Sequence, residues 1–171
     1  MDTQHRRVVV ERLIDAAPEP IFDILADPRR HHEIDGSGAV GRPDATAPER
    51  LHLGAKFTTR MRFIPTDLAP STFLQISIAA VHLGKLTNTV LEFEEPHRIA
   101  WCNFGRHVWR YELHPDPVAP TRTLVRETFD YSTNLLPELI ELVGFPDRNR
   151  ESMQASLARI AALVTGAAAE A

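Results

Sequence analysis

A single cysteine, Cys102, stands in 171 residues, so no intramolecular disulfide can form and no cysteine-based metal cluster can be built. Its expected role is that of a small apolar strand residue. Basic runs are also missing. Nineteen Lys and Arg face 23 Asp and Glu, a net charge of -4, which leaves no phosphate-tracking surface and argues against nucleic acid as a partner. No window approaches the ~18 consecutive apolar residues of a membrane span, and the start, MDTQHRRVVV, lacks the apolar core of a signal peptide. These absences lead to the expectation of a soluble, cytoplasmic protein without a membrane span. Glycine-rich phosphate loops and a Gly-x-Ser-x-Gly nucleophile elbow are absent too. No internal repeat occurs. At 43% hydrophobic and 25% charged residues, the chain suits one globular domain over 1–171.

What is present is organised around the last regular stretch, 146–164. Asn149, Met153, Leu157, Ile160 and Val164 recur three or four residues apart, the signature of one buried helical face. Pro146 suits a first helical turn, Asp147 places an acid at the positive end of the helix dipole, and Gly166 supplies the stop. The stretches before it read mostly as strands. Residues 5–15 form the first, with Val8, Val10, Arg12 and Ile14 on one face. Two short helices follow, over 19–26 and 28–33, and then a turn-rich region with a short strand near Val40. In 51–63, Ala55, Phe57, Thr59, Met61 and Phe63 make a dry face.

The run 65–83 is an apolar stretch in which Ser71 can cap a helix from Thr72 to Leu83, although Ile76, Ile78 and Val81 suit a strand equally well. The reading adopted is helix. Strands resume over 84–94, 98–104, 106–114 and 121–132, and a short helix over 136–143 ends at Gly144. This order predicts an α+β fold with a curved antiparallel sheet of about seven strands wrapped around the long helix.

Three phrases give the order a family likeness: IDAAPEPIFDILADP at 14–28, VLEFEEPHRIAW at 90–101 and TRTLVRETF at 121–129. From about Val8 to Val164 the chain resembles the polyketide cyclase/dehydrase branch of the START-related SRPBCC superfamily, which has the helix-grip fold. The resemblance implies a hydrophobic cavity between sheet and helix that holds a small hydrophobic or aromatic molecule. Members of the superfamily include lipid carriers, hormone-binding proteins, aromatases and cyclases. The apolar insertion at 65–83, placed where relatives have a short connection, is expected to cover one end of that cavity.

Candidate chemistry begins with two charges on apolar faces, Arg12 and Glu127, because a lone buried charge costs several kcal/mol unless paired. The expectation is an ion pair across the first and last strands, with Arg12 opposite Glu127 and Val10 opposite Phe129. Such a pair either holds register only or faces the ligand. His107, Trp109 and Tyr111 project one way from a single strand as an aromatic wall with two proton-handling groups. His31, His32 and Asp35 lack the i, i+4 spacing of a zinc helix and read as a solvated rim, where His32 or Asp35 could still touch a ligand.

The residues expected to contact a ligand are Arg12, Phe57, Thr59 and Met61 from the early strands. His107, Trp109, Tyr111, Glu127 and Phe129 join them from the late strands, and Asn149 and Met153 from the helix. If the protein is an enzyme, His107, Tyr111 and Glu127 are the candidate catalytic groups, for acid/base cyclisation or dehydration of a polyketide-like substrate. No cofactor and no metal are expected. A partner-binding regulator and a homodimer are the remaining alternatives.

Overall fold

The computed structural model describes residues 6–42, 46–62 and 84–166. The insertion at 65–83, its helix-or-strand reading included, lies outside the described residues. Strand β1, Arg7–Ile14, begins with the β-branched run Val8, Val9 and Val10, which favours extended backbone. Helix α1, Pro18–Ala26, starts with proline in its first turn and an acid, Glu19, beside it, and it buries Ile21, Phe22, Ile24 and Leu25. A 3-10 turn at Pro28–Arg30, capped by the Asp27 side chain, leads into the single-turn helix α2, His31–Ile34.

The sheet is completed by β2 (Lys56–Arg60), β3 (Lys85–Glu94), β4 (Arg98–Cys102), β5 (Val108–Pro115) and β6 (Thr123–Asp130). Helices α3, Pro137–Leu142, and α4, Phe145–Thr165, follow. Among the described residues the sheet has six strands rather than about seven, in the order β1-β6-β5-β4-β3-β2, with all neighbours antiparallel. The strand expected near Val40 amounts to an isolated bridge to Met61. The strand expected over 51–63 is shorter because Leu51 to Ala55 turn instead: Leu51 N–H donates to Ala26 O, and Gly54, at φ +78°, donates to Val90 O. A register irregularity between Val90 and Glu92 bends β3.

Helix α4 runs 21 residues, about 31 Å at 1.5 Å per residue. It is entered through Gly144 and left through Gly166, both at φ +69°, a backbone state that costs glycine little. Met153, Leu157 and Ile160 are at most 1% exposed, and burying each stabilises the fold by roughly 1.5–3 kcal/mol. The helix lies chiefly against β1, with β6, α1, α2 and α3 as further neighbours. No helix among the described residues is long and apolar enough to cross a membrane. The loop after α2 touches α4 so closely that a Cβ on Gly36 would lie 2.0 Å from Ser152 O; Gly36 N–H donates to Ser156 Oγ at 2.9 Å.

Candidate functional site

Cross-strand partners share a face of the sheet, so the register lays out the inner surface row by row. One row runs Val10, Glu127, Tyr111, Ile99, Phe93; the next runs Val8, Phe129, Trp109, Trp101, Val90. Glu127 is thus surrounded by apolar and aromatic side chains and is only 2% exposed. Tyr111 Oη–H donates to Glu127 Oε1 at 2.8 Å, and Oε2 is buried without a hydrogen-bond partner among the described residues.

The expected ion pair is overturned by this register. Arg12 stands opposite Val125, Glu127 opposite Val10, and Val8, not Val10, opposite Phe129. The slip is two residues, which preserves the face of every side chain while moving Arg12 toward the end of an edge strand. There it is exposed and lines an open hollow of about 290 Å³ with Val10, Glu11, Gln154 and Leu157, at the seam between β1 and α4. A second hollow of about 250 Å³ lies at the far end of β3, β4 and β5, lined by Glu94, His97, Arg98 and His114 among others.

Left with a tyrosine in place of a cation, Glu127 titrates unlike an ordinary carboxylate. Burial pushes its pKa up to about 8; the Tyr111 hydrogen bond opposes the shift and the charge of Asp35 adds to it. Burial, reinforced by Glu127, also raises the Tyr111 phenol well above its usual value. Asp35 itself is held in place: Oδ1 accepts from Ser37 N–H at 3.0 Å and Ser37 Oγ–H at 2.6 Å, and Oδ2 accepts from Val40 N–H at 2.7 Å.

Trp109 and Tyr111 share the inner face as expected, but β5 begins at Val108, and His107 sits just before it, after Arg106 at φ 62°. The imidazole packs on the Phe129 ring at 5.3 Å. Both of its nitrogens face amide groups, Asn103 Nδ2 at 3.2 Å from Nε2 and Asn134 Nδ2 at 3.4 Å from Nδ1. Those amides are oriented by their own oxygens, which accept Gly105 N–H and Leu136 N–H. Burial takes the His107 pKa down to about 4.

Phe57 is buried and meets Trp101 edge-on at 5.7 Å, whereas Thr59 is half-buried and accepts from Asn88 Nδ2 at 3.2 Å. Met61 is half-buried beyond the end of β2. Met153 is buried on α4, and Asn149 is half-buried one turn earlier.

Three members of this surface did not stand out in the sequence: Trp101, Asn88 and His31. Trp101 could have been found, since alternation puts it on one face of its strand with Ile99; the register sets it opposite Trp109. His31 is a correction to the solvated rim. It is 8% exposed, its Nε2 bonds to Leu25 O at 2.9 Å, and its ring stacks on Trp101 at 5.0 Å and meets Phe57 edge-on at 5.4 Å. Burial lowers its pKa. His32 turns away, with Nδ1 at 2.9 Å from Arg29 O. Among the described residues no three His, Cys, Asp or Glu side chains are placed to hold a metal ion.

A sheet with this inner surface and a long closing helix has known counterparts. Residues 5–165 match the model of a family described as polyketide cyclase / dehydrase and lipid transport. The uncharacterized protein Rv0088 of Mycobacterium tuberculosis is 33% identical over 151 residues, which is 85% of this chain and 58% of that protein; the chain thus spans little more than half of that relative. An AHSA1-like protein from Aeromonas hydrophila superposes with a TM-score of 0.59 at 17% identity, covering 96% of this chain and 97% of that one. A protein from Rhodobacter sphaeroides gives a TM-score of 0.61 at 18% identity, covering 94% and 93%. These likenesses establish the fold, an α+β architecture consistent with the helix grip. With the family model matched along nearly its whole length, the chain belongs to the polyketide cyclase/dehydrase and lipid-transport family of SRPBCC type.

Proposed function

We propose that the chain binds a small hydrophobic or aromatic molecule in an internal cavity between the inner face of the sheet and α4, with the Glu127–Tyr111 pair as its polar anchor. The observation that carries this reading is Glu127 Oε2, a buried carboxyl oxygen with no partner among the described residues, set among flat rings. Leaving a buried polar atom unpaired costs about 1–3 kcal/mol, and an apolar side chain there would fold more stably. A polar group retained under those conditions fits one that a ligand completes. The family's description, which includes lipid transport, supports a ligand of this class. Trp109, Phe129, Trp101 and Phe57 would supply the apolar walls.

One observation favours a second reading. A carboxyl whose pKa is about 8 holds its proton near neutrality and suits a general acid acting on a polyketide-like substrate. His107 is less suited to that work, because burial takes its pKa down to about 4 and leaves a neutral imidazole, a weak acid, near neutrality.

Native mass spectrometry of protein purified without denaturant tests the binding reading. The expected result is a retained small molecule whose occupancy falls in Trp109→Ala. Protein that carries nothing, and whose tryptophan fluorescence ignores every apolar probe, would remove the proposal. Turnover of a substrate that Glu127→Leu abolishes without loss of binding would favour the acid.

A further inference from the structure

Building on that binding reading, we propose that the site selects a neutral molecule carrying a hydrogen-bond acceptor, a ketone or ester carbonyl on an aromatic or alicyclic skeleton, with Glu127 donating to it. Carboxylates are turned away. The argument is a count of hydrogen-bonding valences around one carboxyl group. Oε1 already accepts the Tyr111 hydroxyl proton at 2.8 Å, while Oε2 is buried with no partner among the described residues.

Among the described residues no cation faces the group. Its β1 neighbour is Val10, and Arg12 is exposed opposite Val125. Arg126 and Arg110 are on the outer face, paired with Glu11 at 2.7 Å and Glu92 at 2.5 Å. The titratable groups that act on it are Tyr111 from β5 and Asp35 from the loop after α2. Helix α4 contributes apolar Met153, Leu157 and Ile160 to the core, together with Ser156, whose Oγ takes the Gly36 N–H. An anionic carboxylate in such surroundings lacks the donors that would sustain it, and burial shifts its titration to about pH 8 accordingly. In the neutral form Oε1 is the accepting carbonyl and Oε2 carries a proton. That proton needs an acceptor, which a carbonyl-bearing ligand brings.

Two other ligand classes fit less well. A carboxylate would set a further negative charge beside Asp35 and Glu127, at a cost in a dry site. An ammonium group would require Glu127 to ionise, and burial disfavours the charged form of both partners.

A matched series of naphthalene probes tests the proposal: the methyl ketone, the ethyl hydrocarbon, the carboxylate and the aminomethyl compound. Binding is read from quenching of Trp101 and Trp109, the two tryptophans of the chain. The ketone is expected to bind about tenfold more tightly than the hydrocarbon, the gain of one buried hydrogen bond, with the carboxylate no tighter than the hydrocarbon. Glu127→Gln keeps an N–H donor and should retain the preference, whereas Glu127→Leu should erase it. Above pH 8 the preference should fade in the native protein but not in Glu127→Gln. Equal affinity for ketone and hydrocarbon would overturn the inference while leaving the binding reading intact, and so would tighter binding of the carboxylate or the amine. Failure of all four probes to bind would remove both.

Discussion

Strand β6 carries two carboxylates three residues apart, on opposite faces of the sheet, and they titrate in opposite directions. Burial works against ionisation of Asp130, but donors outweigh it: Ser132 Oγ–H at 2.6 Å, Ser132 N–H at 3.0 Å and the Arg7 guanidinium at 2.7 Å keep its pKa below the usual value. Among the described residues Glu127 has one donor, Tyr111, and its pKa rises to about 8. Little of either is exposed, 8% of Asp130 and 2% of Glu127. Glu127 lies deeper in the apolar interior, however, and has fewer donors aimed at its oxygens, and both differences push its pKa up. The outer face of the sheet is built to keep its charges, and the inner face is built so that a charge is hard to keep.

The largest test of this division is packing. Phe129→Ala should lower stability by about 3–5 kcal/mol in denaturant unfolding, because a buried ring in contact with Trp109, His107 and Tyr131 leaves a cavity. A loss under about 1 kcal/mol would mean that the inner rows are loosely packed.

A smaller effect should come from pH. Folding raises the Glu127 pKa from 4.5 to about 8, so the folded chain keeps a proton that the unfolded chain releases. The associated stability is complete below 4.5 and is lost as pH rises toward 8. Between 6.5 and 8 the loss should be about 2 kcal/mol, at ~1.4 kcal/mol per unit. His107 acts the other way: its pKa falls on folding from 6.5 to about 4, so its share of stability is present above 6.5 and is lost as pH drops toward 4. Melts across this range should show a plateau from about 4.5 to 6.5, where the two slopes offset each other, and a fall above it; Glu127→Gln should flatten the alkaline side and uncover the His107 slope on the acid side. An unchanged alkaline slope in that variant would assign the proton to another group. An Arg12–Glu127 ion pair would have made the same substitution destabilising near neutrality. With Val10 opposite Glu127, the expected effect is neutral or stabilising.

The smallest effect belongs to the outer face. Glu11 and Arg126 pair at 2.7 Å but are both about two-fifths exposed, 41% and 42%, so Glu11→Gln should cost no more than about 1 kcal/mol and the cost should shrink in salt. A cost comparable to that of Phe129→Ala would erase the contrast between the faces.

Much of this architecture was legible because period and punctuation are local properties. The three-and-four spacing from Asn149 to Val164 and the glycine at 166 mark α4 to within a residue or so. The alternation His107, Trp109, Tyr111 puts the last two side chains on the correct face. What alternation cannot supply is register: a slip of two residues leaves every side chain on its own face, so Arg12 and Glu127 looked like partners although they are not. His31 escaped for a different reason. A single helical turn has no repeat from which to read a buried side, and its burial depends on Trp101 and Phe57 from distant strands. The orphaned oxygen of Glu127 could not be read at all, because it depends on which donors arrive from other elements.

The contact at Gly36 has a mechanical consequence. The missing side chain lets the loop after α2 rest on the backbone of α4 at Ser152 and Ser156, and Arg159 of the same helix donates to Asp35 O. The loop and the helix are therefore riveted at two neighbouring points. Any occupant that wedges α4 away from the sheet must drag Asp35 along, withdrawing a negative charge that acts on Glu127 and Tyr111. Displacement of the helix is thereby transmitted to the acidity of the interior.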